Sequence, residues 1–157
     1  MISLIFRDFD LLERPLPESP SGRAWFVLDG TCFPSENWFD FPLSVLGSAC
    51  SACVELGQGA GESVSYFFDG SFSLVYRYPA FDAGGQVEIG AYSEDGDDEL
   101  GWILRAETKV SLLDLRAALL EAARVMEAAL LSVGYSAAEV NLSIVYRIIE
   151  ELEQVRH

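Results

Sequence analysis

The sequence predicts an α+β domain: an antiparallel β-sheet of four to six strands with an inserted helix and a C-terminal helical hairpin packed on one face. Three observations predict it. Segments in the middle of the chain alternate apolar and more polar residues, the period of a half-buried strand. Around residues 40–56, and again beyond residue 111, apolar residues recur at the 3-4 spacing of a helix. The strands form a run, and two helices follow them, which is the order of an α+β chain. The 157 residues are half apolar and 12% aromatic. That suits a single domain, residues 1–157, with a core of its own, and excludes intrinsic disorder.

Ile2 to Phe6 reads as a short strand. The loop after it carries Pro15, Pro17 and Pro20, which block both a helix and a central strand. Ala24 to Leu28 is a second strand, ended by Asp29-Gly30, and an aromatic-rich turn from Thr31 to Asp40 follows. The first helix runs from about Asp40 to Leu56, with Asp40 as its N-cap and Pro42 in a first turn where a missing N–H costs little. Leu43, Leu46, Cys50, Cys53 and Val54 fall at helical spacing, and Gly57, Gly59 and Gly61 end the segment.

The next stretch is a meander. Val64, Tyr66 and Phe68 share one face of a strand, and Asp69-Gly70 supplies the positive-φ pair of a two-residue type I′ hairpin. Phe72, Leu74, Tyr76 and Tyr78 continue the alternation on the returning strand. Val87, Ile89 and Ala91 point inward from a third strand, and Trp102, Leu104 and Ala106 share one face of a fourth. One apolar and one more polar face is the pattern of a sheet covered on one side. Ser111-Leu-Leu-Asp114 then begins a helix that Gly134 ends, and Ser136-Ala-Ala-Glu139 reads as a capping box for the last one. That helix carries Val140, Ile144, Ile148, Leu152 and Val155 on one side and Leu142, Val145 and Ile149 on a second row. So wide a stripe predicts burial against both a helix and the sheet, the alternative being a second subunit.

Few residues have the chemistry of a catalyst. Cys50 and Cys53 form a C-x-x-C, but a zinc site needs two further ligands, and only Cys32 and the terminal His157 remain. Both cysteines lie inside the helical pattern, where small packing residues are expected. Gly57 to Ser63 is glycine-rich, but Glu62 stands where a P-loop has its lysine. Gly47-Ser-Ala-Cys-Ser51 is not a nucleophile elbow, and one histidine at a terminus offers no base for a serine or cysteine. Carboxylates are so abundant that a glycosidase-type pair is neither indicated nor excluded. The sequence therefore predicts a protein that is not an enzyme and uses no metal or cofactor.

The formal charge is −15, from 25 acidic residues against nine arginines and Lys109. Nucleic-acid binding needs clustered cations, and none occurs here. The field repels polyanions and attracts basic surfaces, although a coat that merely confers solubility gives the same sum. Its distribution is uneven: residues 61–110 hold 10 acidic against 3 basic residues, and the run Ser93-Glu-Asp-Gly-Asp-Asp-Glu99 is acidic at five of seven positions. Counted from Asp95, an EF-hand would need Gly sixth and Glu twelfth, where Leu100 and Ala106 stand. The run reads as a hairpin loop, either simply solvated or presented to a basic protein. No stretch is long and apolar enough to span a membrane, and the early Arg7-Asp8 argues against a signal peptide, so the cytoplasm is expected.

The segment Phe33-Pro-Ser-Glu-Asn-Trp38-Phe-Asp40-Phe41-Pro42, followed by Leu43, Val45, Leu46 and Gly47, resembles one in bacterial immunity proteins, the small antidotes encoded beside polymorphic or contact-dependent inhibition toxins. In that pattern a Trp-x-Asp-Phe turn precedes a helix, an antiparallel hairpin and further helices, an order that matches this chain from about residue 24 onward. The motif residues have structural roles there: Trp38 and Phe41 would pack and Asp40 would cap. The resemblance implies a small cytoplasmic, non-enzymatic protein that binds its cognate toxin and occludes or distorts the active site; the charge adds that the partner is a folded, basic domain, nucleases included, and composition leaves no membrane or nucleic-acid partner. Glu94, Asp95, Asp97, Asp98 and Glu99 are the expected contact residues. The alternative is a small acidic secretion chaperone that dimerises through the stripe from Val140 to Val155.

Overall fold

A computed structural model describes residues 1–8, 20–79, 85–94 and 101–155. The expected loop prolines Pro15 and Pro17, the acidic residues Asp95, Asp97, Asp98 and Glu99, and His157 lie outside the described residues. The chain is α+β, and its strands form two antiparallel sheets of four. In the first sheet, β1 (Ile2–Arg7) pairs with β2 (Gly22–Leu28), and the far edge of β2 pairs with both β3 (Thr31–Phe33) and β4 (Phe39–Asp40). The helix α1 (Pro42–Gly57) follows. The second sheet is a meander of β5 (Glu62–Tyr66), β6 (Phe72–Arg77), β7 (Gln86–Glu94) and β8 (Trp102–Ser111). The helices α2 (Leu112–Ser132) and α3 (Val140–Gln154) form the expected C-terminal hairpin.

Local chemistry explains most of these boundaries. Leu28 pairs with Thr31 across Asp29 and Gly30, whose φ values are +47° and +87°. This is the two-residue turn with positive φ at both positions that suits strand twist. The expected turn of that kind at Asp69-Gly70 is not formed. Phe67 N–H donates to the Phe72 carbonyl, so residues 68–71 make a four-residue loop instead. Ser111 caps α2 by accepting from the Asp114 N–H at 3.0 Å. At the other end, Tyr135 N–H donates to Leu130 O and Gly134 N–H to Leu131 O, with Gly134 at φ +97° and Tyr135 buried. That is the Schellman arrangement, and Gly59 and Ala60 repeat it at the end of α1. Only half of the Ser136–Glu139 capping box forms: Glu139 accepts from Ser136 N–H, but α3 starts later, at Val140, with no side-chain cap.

The buried residues of both sheets and all three helices form one core. Leu4 and Phe26 of the first sheet, Leu74 and Ile89 of the second, and Leu119 and Met126 of α2 are among its members. The wide stripe of α3 packs within the chain, against α1 and α2, with Leu142, Val145, Ile148, Ile149 and Leu152 buried. Two members of the expected stripe stand apart: Val140 is 70% exposed and Ile144 is half-buried. Among the described residues, no helix is long and apolar enough to cross a membrane.

Candidate interaction surface

Asp40 is fully buried, yet it is not the cap of α1; that position belongs to Phe41, with no side-chain cap bond. Its carboxylate instead accepts from Phe41 N–H at 2.7 Å, Trp38 Nε1–H at 3.2 Å, and the N–H groups of Phe68 and Asp69, each at 3.1 Å. Asp40 ends β4 in the first sheet, and Phe68 and Asp69 lie in the β5–β6 loop of the second. One carboxylate therefore ties the two sheets together, and charge-assisted bonds from several donors offset its burial. Trp38 packs edge-to-face on Phe72 with ring centroids 4.9 Å apart, the packing role expected for it. Phe41 does not share that role: it is partly exposed and lines a surface groove.

The loop held by Asp40 determines how β5 presents its side chains. The expected apolar face of Val64, Tyr66 and Phe68 points away from the core, and Tyr66 and Phe68 are 51% and 52% exposed. Ser63, Ser65 and Phe67 point inward. The physical reason is α1, which packs against β5 and whose buried residues include the small Ala49, Ala52 and Cys53. Small inward residues on β5 suit that close approach. Their hydroxyls are satisfied, since Ser63 donates to Glu55 Oε2 at 2.5 Å and Ser65 bonds the buried Tyr76 hydroxyl at 2.9 Å. The outer edge of β5 is also tied to the helix, with Tyr66 N–H donating to Ser48 Oγ.

The other apolar residues on this surface come from a β-bulge. Ala91 pairs with Ala106, but the next residue, Tyr92, pairs with Leu104, so Arg105 is the extra residue. A one-residue insertion exchanges the faces of everything beyond it. Leu104 and Trp102, expected on the same face as Ala106, are thereby turned outward and are 46% and 49% exposed. Arg105 Nε donates to Ser93 Oγ at 2.6 Å, holding the bulge.

The outer face of the second sheet thus carries Val64, Tyr66, Val75, Tyr92 and Trp102 around one shallow depression of about 330 Å³. The Tyr92 ring lies across Gly90, where an added Cβ would meet it at 2.7 Å. Polar groups surround these apolar ones. Arg77 donates to Glu62 at 2.8 Å, and bonds to Tyr92 and Glu62 hold its guanidinium in the charged form more firmly still. Lys109 donates to Glu88 and, with its positive charge, holds that carboxyl below its ordinary range. Glu94 and Glu107 are exposed on the same face.

Of the five expected contact residues, Glu94 is described: it ends β7, exposed, with its N–H donating to Ser71 O. It pairs with Trp102 across the ladder, which puts the first acidic residue of the run opposite that indole. Tyr66, Phe68, Trp102 and Leu104 were not expected at the surface. The signal available for them was indirect: the serines at 63 and 65 permit either phase of β5, and the apolar Ile103 falls on what would be the polar face of β8.

The cysteines have no reactive geometry. Cys50 and Cys53 are buried free thiols on α1, and burial pushes both up to about 12. The protonated form is the unreactive one, which fits their role as small packing residues. Among the described residues, no group of three or more His, Cys, Asp or Glu side chains is arranged to hold a metal ion. No family model matches the chain, and no curated protein or solved structure matches it either.

Proposed function

We propose that this protein is a non-enzymatic, acidic immunity protein that binds a basic, folded toxin domain of a bacterial competition system and neutralises it. The observation that carries the reading is the outer face of the second sheet, where exposed Tyr66, Trp102 and Leu104 lie beside the start of the acidic run at Glu94. Aromatic side chains dominate the energetics of protein interfaces, because they bury much area for little lost rotamer freedom. The chain's net charge of −15 steers a basic partner and speeds capture. A toxin that cleaves nucleic acid needs a cationic track for phosphates, and an acidic inhibitor is the natural occupant of such a track. The Trp38-x-Asp40-Phe41 turn adds the family resemblance to this argument.

The chaperone alternative drew on the apolar stripe of α3 as a dimer face. Most of that stripe is occupied by α1 and α2, which leaves the monomeric, toxin-binding reading as the better supported one. The test is co-expression with the toxin encoded in the neighbouring reading frame, followed by association kinetics. Cells are expected to survive only with this protein present, and the purified pair to associate faster at low salt. Neutralising Glu94, Asp95, Asp97, Asp98 and Glu99 together should slow association and flatten its salt dependence. Survival that does not depend on this protein, or a stable dimer holding an unfolded segment, would overturn the reading.

A further inference from the structure

The outer face of the second sheet is ordered in cross-strand rows. Glu62, Arg77, Glu88 and Lys109 are paired in turn from β5 to β8, so one row alternates in sign and neutralises itself. Arg77 donates to Glu62 at 2.8 Å, and Lys109 donates to Glu88. The next row is Val64, Val75, Gly90 and Glu107, and the one after it is Tyr66, Ser73, Tyr92 and Leu104. Ser73 is thus a small residue between two tyrosines. It is 4% exposed, whereas Tyr66 and Trp102 are each about half exposed, so it lies at the bottom of the depression of about 330 Å³ that these residues line.

The Ser73 hydroxyl has no hydrogen-bond partner among the described residues. Each of the other buried polar residues described, Asp40, Ser63, Ser65, Ser93, Thr108 and Asn141, has a side-chain partner. A covered polar group left unpaired in a native fold calls for a reason. A partner that seals the depression must supply a hydrogen bond at its floor or lose affinity. We propose that the depression is a subsite for one tyrosine side chain of the bound protein, with its ring among Tyr66, Tyr92 and Trp102 and its hydroxyl at Ser73 Oγ. The walls are aromatic rings and two valines, which suit a flat apolar body with a polar tip. Arg77, the one charged residue among those described in the lining, already bonds Glu62 and Tyr92, and it disfavours a lysine or arginine there. A carboxylate would meet the field of an acidic chain, and phenylalanine or leucine would leave Ser73 unpaired. This deepens the toxin-binding reading and rests on it for the source of the tyrosine. Charge speeds the encounter, and the subsite fixes the register of the bound surface.

The subsite can be tested without the toxin. The labelled full-length chain is titrated with N-acetyl-tyrosine amide, then with N-acetyl-phenylalanine amide, and backbone amide shifts are followed. Saturable shifts are expected at Ser73, Val75, Tyr92 and Trp102, with the phenylalanine probe about fivefold weaker. Ser73→Ala should melt as the wild type does, because no side-chain bond within the chain is lost, and it should bind the two probes equally. Tyr66→Ala removes one wall and should weaken both probes about fivefold while keeping the preference for tyrosine. No saturable shift, shifts centred elsewhere, equal affinity for the two probes, or a tyrosine preference that survives Ser73→Ala would overturn the proposal. A toxin that binds Ser73→Ala and Tyr66→Ala with wild-type affinity refutes the subsite and leaves the toxin-binding reading intact. A tyrosine preference in a protein that protects no cell supports the subsite and refutes that reading.

Discussion

The inner face of the second sheet holds Leu74, Tyr76, Val87, Ile89 and Ala91, all with 1% exposure or less, whereas the outer face holds Tyr66, Trp102 and Leu104, each about half exposed. Both faces are rich in large apolar groups, so hydrophobicity does not distinguish them. What distinguishes them is cover: α1 and the first sheet help to close the inner side, while ion pairs such as Glu88–Lys109 border the outer side. A side chain on the inner face therefore contributes to folding. A side chain on the outer face contributes little to folding and, on the proposed reading, is there for a partner.

Three substitutions test that contrast, in falling order of their effect on stability. Leu74→Ala opens a cavity in the closed side and should destabilise the fold by about 2–5 kcal/mol in denaturant titrations. Asp40→Asn keeps one acceptor oxygen but loses the charge that several donors share, so a cost of about 2 kcal/mol is expected. Because Asp40 joins the sheets, amide exchange should rise most at Phe68 and Asp69; no increase there would refute its role as a tie. Trp102→Ala should change stability by less than about 0.5 kcal/mol while weakening partner binding by about 2 kcal/mol. A large loss of stability in Trp102→Ala would mean that the outer face is structural after all.

A pH-dependent effect, absent at neutral pH, comes from the helix beneath. The thiols of Cys50 and Cys53 ionise near 9.0 in the unfolded chain and near 12 when folded. Between those values the native state holds protons that the unfolded state has lost, so stability falls as pH rises above about 9. Below pH 9 the contribution is fully present. The double variant Cys50→Ala, Cys53→Ala should flatten that alkaline slope, and alkylation of both thiols should follow unfolding rather than precede it.

Features set by local chemistry were legible in the sequence. The Ser111 cap, the Gly134 stop, the burial of Val87, Ile89 and Ala91, and the helical hairpin all rest on residues close in sequence. The candidate surface depends on long-range facts. Alternation divides β5 into two faces but does not say which one is covered; the small face of α1 and the partners of Ser63 and Ser65 decide that. At Trp102 and Leu104 the pattern was read correctly up to Ala106 and then reversed by one extra residue, Arg105. Asp40 resembled a cap because Asp before a helix usually is one; the four-residue loop that brings Phe68 and Asp69 to it comes from a different sheet. The meander's charge was legible as a sum, but the place of Glu94 opposite an exposed indole was not.

The most direct measurement is hydrogen–deuterium exchange of the protein alone and bound to the proposed toxin partner. The account predicts new protection in β5, in the 68–71 loop and at the Glu94 and Trp102 ends of β7 and β8, with β1 and α2 unchanged. Protection centred on β1 and α2, with Tyr66 and Trp102 exchanging as they do in the free protein, would contradict it.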